Sequence, residues 1–154
     1  MMVSNVLTTG LKLQLLIFLS LSNSFALGDL TKQEPIEVKV ELGDKTGALK
    51  FFPSTLELET GKLYRVTLNN DSPEKHYFSS DAFSQSVFTR KVQVNRADGK
   101  PIAEIKGNIR EIEVYPGNKV EWWFVPVKAG EIKDLKCTIP GHAEAGMVGA
   151  ITIK

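Results

Sequence analysis

Disulfide cross-links are excluded at the outset, because the 154-residue chain contains a single cysteine, Cys137. A chain of this size buries a core without them. Charge of one sign is not in excess either, with 19 Lys and Arg against 18 Asp and Glu. That balance excludes the basic footprint of a nucleic-acid binder or a polybasic membrane-surface protein. Histidine and methionine are scarce, at two and three residues. Long apolar runs are missing too: residues 13–21 stop short of the roughly 18 residues that a spanning helix needs. No low-complexity segment, internal linker or convincing helical periodicity follows residue 28. What remains, 42% hydrophobic and 24% charged residues, is the ordinary balance of one folded domain.

The N-terminus stands apart. Residues 1–12 carry one positive charge, Lys12, and no acid. Residues 13–21 (LQLLIFLSL) have the length of a signal-peptide hydrophobic region, and Ser24-Phe25-Ala26 fits a small-x-small cleavage site. The expectation is a signal peptide over residues 1–26 and an exported domain over 27–154, with no membrane span after cleavage. Export gives the lone thiol of Cys137 a meaning. In an oxidising compartment an odd cysteine is either buried and inert or held by a metal.

Strand signals dominate the remainder. Residues 36–42 (IEVKVEL) alternate apolar and charged side chains, as do 56–59, 91–95, 102–105 and 109–115. Residues 63–68 put Tyr64, Val66 and Leu68 on one face, and Asp98-Gly99 between two alternating runs is a hairpin signal. Residues 120–125 and 147–153 supply the last strands, and residues 81–88 suggest one helical turn. Trp122 and Trp123 fall on opposite faces of one strand, so one of them belongs to the core. Seven to nine short strands separated by Gly, Pro and Asn turns predict an all-β antiparallel sandwich.

Beyond residue 26 the soft and imidazole side chains number four: His76, Cys137, His142 and Met147. Three of them lie in one segment with the spacing C-x4-H-x4-M, directly before the last strand. Two imidazoles, a thiolate and a thioether form the donor set of a type 1 copper site, trigonal His2Cys with a long axial Met. Thiolate and thioether stabilise Cu(I), and imidazole accommodates both oxidation states. Three ligands on one tight loop require Pro140 and Gly141 to fold it, and His76 ties that loop to a distant strand.

These residues resemble the cupredoxins, the small blue copper proteins. The likeness runs from about Phe51 to Lys154 through Phe51-x-Pro53-x-x-Leu56-x-Leu58-x-x-Gly61, Val66-x-Leu68-x-Asn70, Val114-x-Pro116-Gly117 and residues 137–147. The Ile-Pro-Gly-His core and loop length look most like rusticyanin and the sulfocyanins. The resemblance implies a Greek-key β-sandwich, one copper ion, one-electron transfer, and His76, Cys137, His142 and Met147 as ligands. The sequence also departs from the family pattern. Tyr77 stands where many cupredoxins have an Asn that braces the ligand loop, and Lys75 where azurins have Gly. Thr138 is expected to hydrogen-bond within the loop. Residues 79–107 are longer than a minimal cupredoxin needs and read as an added hairpin rather than a lid.

The expected function is an exported electron carrier, periplasmic or of a thylakoid lumen. It would be a monomer that exchanges electrons with a redox donor and acceptor docking near His142. Pro140, Ala143, Ala145 and Val148 would ring that histidine with an apolar patch. Copper storage or delivery through the same site is the competing reading. Such proteins usually offer Met-rich or Cys-pair sites, which this chain lacks. An enzyme is not expected, because no further histidine remains for a second copper. Glu144, the one carboxylate the sequence places near the loop, reads as a solvated residue rather than a general base.

Overall fold

Period-two alternation turns into strand wherever one face can be buried, and the computed structural model, which describes residues 32–154, carries this through most of its length. The proposed signal segment, residues 1–26, lies outside the described residues. In order come β1 (Ile36–Leu42), β2 (Phe51–Phe52), β3 (Thr55–Leu58), β4 (Tyr64–Asn70), β5 (His76–Ser79), the one-turn helix α1 (Asp81–Ser84), β6 (Val87–Asn95), β7 (Pro101–Ile105), β8 (Glu111–Val114), β9 (Asn118–Pro126), β10 (Gly130–Lys136) and β11 (Val148–Ile153). They form a six-stranded sheet, β2-β1-β4-β9-β6-β7, and a five-stranded one, β3-β11-β10-β5-β8. Two pairings are parallel, β1 with β4 and β3 with β11, and the others are antiparallel. Among the described residues no helix is long and apolar enough to cross a membrane.

Both sheets contribute to one core. Val40, Val66, Leu68, Trp122 and Phe124 from the first meet Leu58, Phe78, Leu135, Ile151 and Ile153 from the second. This is the two-layer sandwich that the alternation predicts. Among the described residues eleven strands replace the expected seven to nine, for a local reason. In β10 the buried residues are Ile132 and Leu135, three apart, because the register against β11 shifts between them. A bulge erases the period-two signature that would announce the strand. β2 and β5 are too short to alternate visibly.

The two tryptophans divide as expected. Trp122 is buried, with Phe83 edge-on at 5.2 Å and Phe124 at 5.4 Å, and its Nε1 donates to Thr89 Oγ1 at 3.1 Å. Trp123 lies on the outer face, with Arg65 and Lys91 each 5.1 Å from its ring centroid. Phe83 reaches the core because Ser80 caps α1, accepting from the Phe83 N–H at 3.0 Å. Phe83→Ala is expected to cost about 3–5 kcal/mol in urea unfolding. The exposed Phe88→Ala is expected to stay within about 0.5 kcal/mol.

Within residues 79–107, α1 is followed by a hairpin of β6 and β7. β6 pairs with β9, β7 pairs with β6 at the sheet edge, and Gly99 turns the chain at φ +81°. Every residue of β7 is exposed, and its Glu104 is paired with Lys91, which suits a charged edge strand.

Candidate metal centre

The segment that joins β10 to β11 is folded by its own backbone. Cys137 N–H donates to Met147 O at 3.0 Å, and Met147 N–H donates to His142 O at 2.9 Å. His142 N–H reaches Ile139 O at 3.1 Å, and Ala145 N–H reaches Gly141 O at 3.0 Å. Gly141 occupies φ +87° and Gly146 φ +109°, conformations that a Cβ disfavours. The C-x4-H-x4-M spacing is therefore a closed loop whose two ends, Cys137 and Met147, are bonded to each other.

His76 opens β5 and pairs with Val114 of β8. That register carries its ring to the loop, where the His76 and His142 centroids are 5.2 Å apart. Cys137 Sγ lies 3.5 Å from His142 Nδ1. One donor atom from each of His76, Cys137 and His142 lies within 4.8 Å of the others, and all three residues are buried. Met147 is fully buried in the hydrophobic core that also holds Cys137, with its backbone bonded to both Cys137 and His142.

The chemistry of the donors tests whether a copper ion fits. His76 Nδ1 is buried and has no hydrogen-bond partner, an expensive state for a polar atom unless something else takes its lone pair. Burial first, then the neighbouring His142, push the His76 imidazole below its ordinary pKa, while Glu74 opposes them. Both favour the neutral ring that a metal requires. Soft sulfur beside two imidazoles suits copper.

The surroundings correct several expectations. The position after His76 contributes its backbone rather than its side chain: Tyr77 N–H points at Cys137 Sγ at 3.4 Å. The bracing amide is Asn70, whose Nδ2 donates to Glu74 O at 2.8 Å and Val114 O at 2.7 Å. Thr138 bonds outside the loop, donating to Glu111 Oε2 of β8 at 2.7 Å. The carboxylate beside the cluster is Glu74, with Oε2 3.6 Å from His142 Nε2, whereas Glu144 is exposed. Lys75 turns away to Glu113 at 2.8 Å. Of the ring expected around His142, Pro140, Ala145 and Val148 are exposed and Ala143 is half-buried, while His142 itself is 8% exposed.

Gly43 is a contributor that periodicity did not reveal. It follows β1 at φ +75°, and a Cβ there would stand 3.0 Å from His76 Nε2, Ser72 Cβ and Ala48 O. Gly43→Ala is expected to destabilise the domain by about 2 kcal/mol and to weaken copper binding about tenfold. Gly99→Ala, also at positive φ but with open space around it, is expected to leave copper binding unchanged. Copper titration followed by thermal unfolding distinguishes the two.

A family model described as copper binding proteins, plastocyanin/azurin family, matches residues 38–154. The match begins ahead of Phe51 and takes in most of β1 and Gly43. No curated protein sequence matches the chain. Among solved structures, auracyanin B is similar over 79% of this chain and 91% of its own, at 19% identity and a TM-score of 0.50. The McoA multicopper oxidase of Aquifex aeolicus aligns with 78% of this chain at 16% identity and a TM-score of 0.56. A multicopper oxidase of Campylobacter jejuni aligns with 79% of it at 17% identity and a TM-score of 0.52. This chain spans 29% and 31% of those two oxidases. At such identities the likeness is one of fold.

Proposed function

Because the chain belongs to the plastocyanin/azurin family of copper-binding proteins, we propose that it carries single electrons through one type 1 copper ion held by His76, Cys137, His142 and Met147. The observation that carries this reading is the buried convergence of a thiol and two imidazoles within 4.8 Å on one rigid sandwich. Copper bound there supplies a one-electron couple.

The protein's part is to hold the ligands still. Cys137 and Met147 are bonded to each other at the two ends of the loop, and His76 is fixed in a β-ladder. Ligands fixed before and after transfer need little rearrangement, which favours fast exchange. Tyr77 N–H, directed at the thiolate, withdraws electron density from the sulfur. His142, the most exposed of the four, is the side on which a partner docks. The exposed Pro140, Ala145 and Val148 offer that partner an apolar rim. Both histidines of the chain are used in this one cluster, which leaves none for a second copper and favours a carrier over an oxidase.

The reading extends to the whole chain: residues 1–26 are a cleaved signal peptide, and 27–154 act as a monomer in a periplasm or thylakoid lumen. Copper storage or delivery is the second reading. The burial of all four side chains, which slows exchange of the ion, weighs against it. The test is the visible spectrum of the copper-loaded domain, with ascorbate and then an oxidant. An intense thiolate-to-copper band that bleaches and returns is expected. Bound copper with no such band would overturn the carrier reading in favour of copper handling.

A further inference from the structure

Glu74 occupies a position that the ligand set does not explain. Its backbone is pinned, with the carbonyl accepting from Asn70 Nδ2 and Ser72 Oγ at 2.8 Å each and the N–H donating to Ser72 Oγ at 3.3 Å. Asn70 and Ser72 are both buried, so the start of this side chain is fixed by the core. Its carboxylate then reaches out, 66% exposed, and brings Oε2 to 3.6 Å from His142 Nε2. The opposite ring nitrogen, Nδ1, is the one that faces Cys137 Sγ. The adjacent cation, Lys75, is engaged with Glu113 and leaves the Glu74 charge in place.

At 3.6 Å the contact lies beyond hydrogen-bond range and acts through charge. A carboxylate facing Nε2 favours the tautomer with hydrogen on Nε2 and a free lone pair on Nδ1, the arrangement of carboxylate–histidine–metal sites. The same carboxylate makes the surface edge of the imidazole negative.

We propose that Glu74 is a positioning residue for His142: it selects the tautomer that presents Nδ1 to the cluster, and its exposed carboxylate makes the Nε2 side of the imidazole prefer cationic redox partners. The second half rests on the electron-carrier reading; the first does not.

The experiment compares the full domain with Glu74→Gln, which keeps size and polarity, and Glu74→Asp, which keeps charge on a shorter arm. In the metal-free protein, nitrogen NMR of His142 is expected to show the Nε2–H tautomer dominant. That population is expected to fall in Glu74→Gln and to be partly retained in Glu74→Asp. In the copper-loaded protein at low salt, oxidation by the tris(phenanthroline)cobalt(III) cation is compared with oxidation by the ferricyanide anion. The cation-to-anion rate ratio is expected to drop about threefold or more in Glu74→Gln and to converge on wild type at high salt. An unchanged tautomer population overturns the positioning role, and an unchanged rate ratio overturns the partner preference. A wild-type protein without the thiolate-to-copper band would sink the carrier reading and with it the partner preference. The metal-free spectrum would still decide the positioning role.

Discussion

Cys137→Ser is expected to abolish the thiolate-to-copper band completely while leaving the domain folded. The residue is 1% exposed, so the substitution acts in the core rather than on the surface. Serine is slightly smaller, and its oxygen can still accept from Tyr77 N–H, where Cys137 Sγ accepts at 3.4 Å. The backbone bond from residue 137 to Met147 O does not depend on the side chain. Stability is therefore expected to change by only about 1 kcal/mol. Copper affinity is expected to fall by more than about a hundredfold, beyond what loss of an outer partner costs. Met147→Leu keeps nearly the same volume in a site with no exposed surface. If Met147 is an axial ligand, the band survives this change, because its intensity arises at the cysteine sulfur. Visible spectra of both variants, read beside thermal unfolding, separate the roles. A band retained in Cys137→Ser, or lost in a folded Met147→Leu, would overturn the assignment.

His76, Cys137 and His142, which the fold brings together, were legible because copper chemistry restricts its donors to a few residue types, and this chain has few of them. The loop was legible because three donors fall within eleven residues, and its turns are marked by Pro140 and Gly141. The sandwich was legible wherever burial alternates without interruption, as in β4, where Tyr64, Val66, Leu68 and Asn70 all face inward. β10 was not, because its bulge puts Ile132 and Leu135 out of phase. The roles of the supporting residues were hidden for a different reason, even at Asn70, which stands in one of the family-like motifs. Gly43, Asn70 and Glu74 act through where the chain brings their backbones, and periodicity does not report that. Gly43 reads as an ordinary turn glycine until the register of β1 against β4 places it beside His76. The position after His76 misled in the same way. Sequence directs attention to the Tyr77 side chain, yet the contact with sulfur comes from the N–H that every residue except proline carries.

Asn70→Ala is expected to produce the largest combined loss of stability and copper binding among the supporting residues. The side chain is fully buried at the end of β4 and makes four hydrogen bonds. Its Nδ2 donates to Glu74 O and Val114 O, and its Oδ1 accepts from Ser72 N at 3.0 Å and Ser72 Oγ at 2.8 Å. One amide thus joins β4, the turn before His76 and the end of β8 that pairs with His76. Each bond contributes about 1 kcal/mol net, and carbonyls left unsatisfied in the core add to the deficit. A total near 3–4 kcal/mol follows, a large fraction of the stability of a domain this size and about 10 °C in Tm. Copper binding is expected to weaken in the same variant, because the turn that delivers His76 and Glu74 loses its anchor. Asn70→Asp isolates the donor half of the amide. It keeps the acceptor for Ser72 but turns a carboxylate toward the Glu74 and Val114 carbonyls. Burial and those oxygens would raise its folded pKa, so the ionisation penalty is absent at low pH, where the group is protonated in both states and its one O–H still serves one of the two carbonyls. The ionisation penalty grows as pH rises above about 4, once the unfolded chain ionises, and adds to the one lost donor. Urea unfolding of wild type, Asn70→Ala and Asn70→Asp between pH 4 and 8 tests this directly. An Asp variant whose deficit stays flat with pH, or an Ala variant that binds copper as wild type does, would show that the amide does not hold this end of the sandwich together.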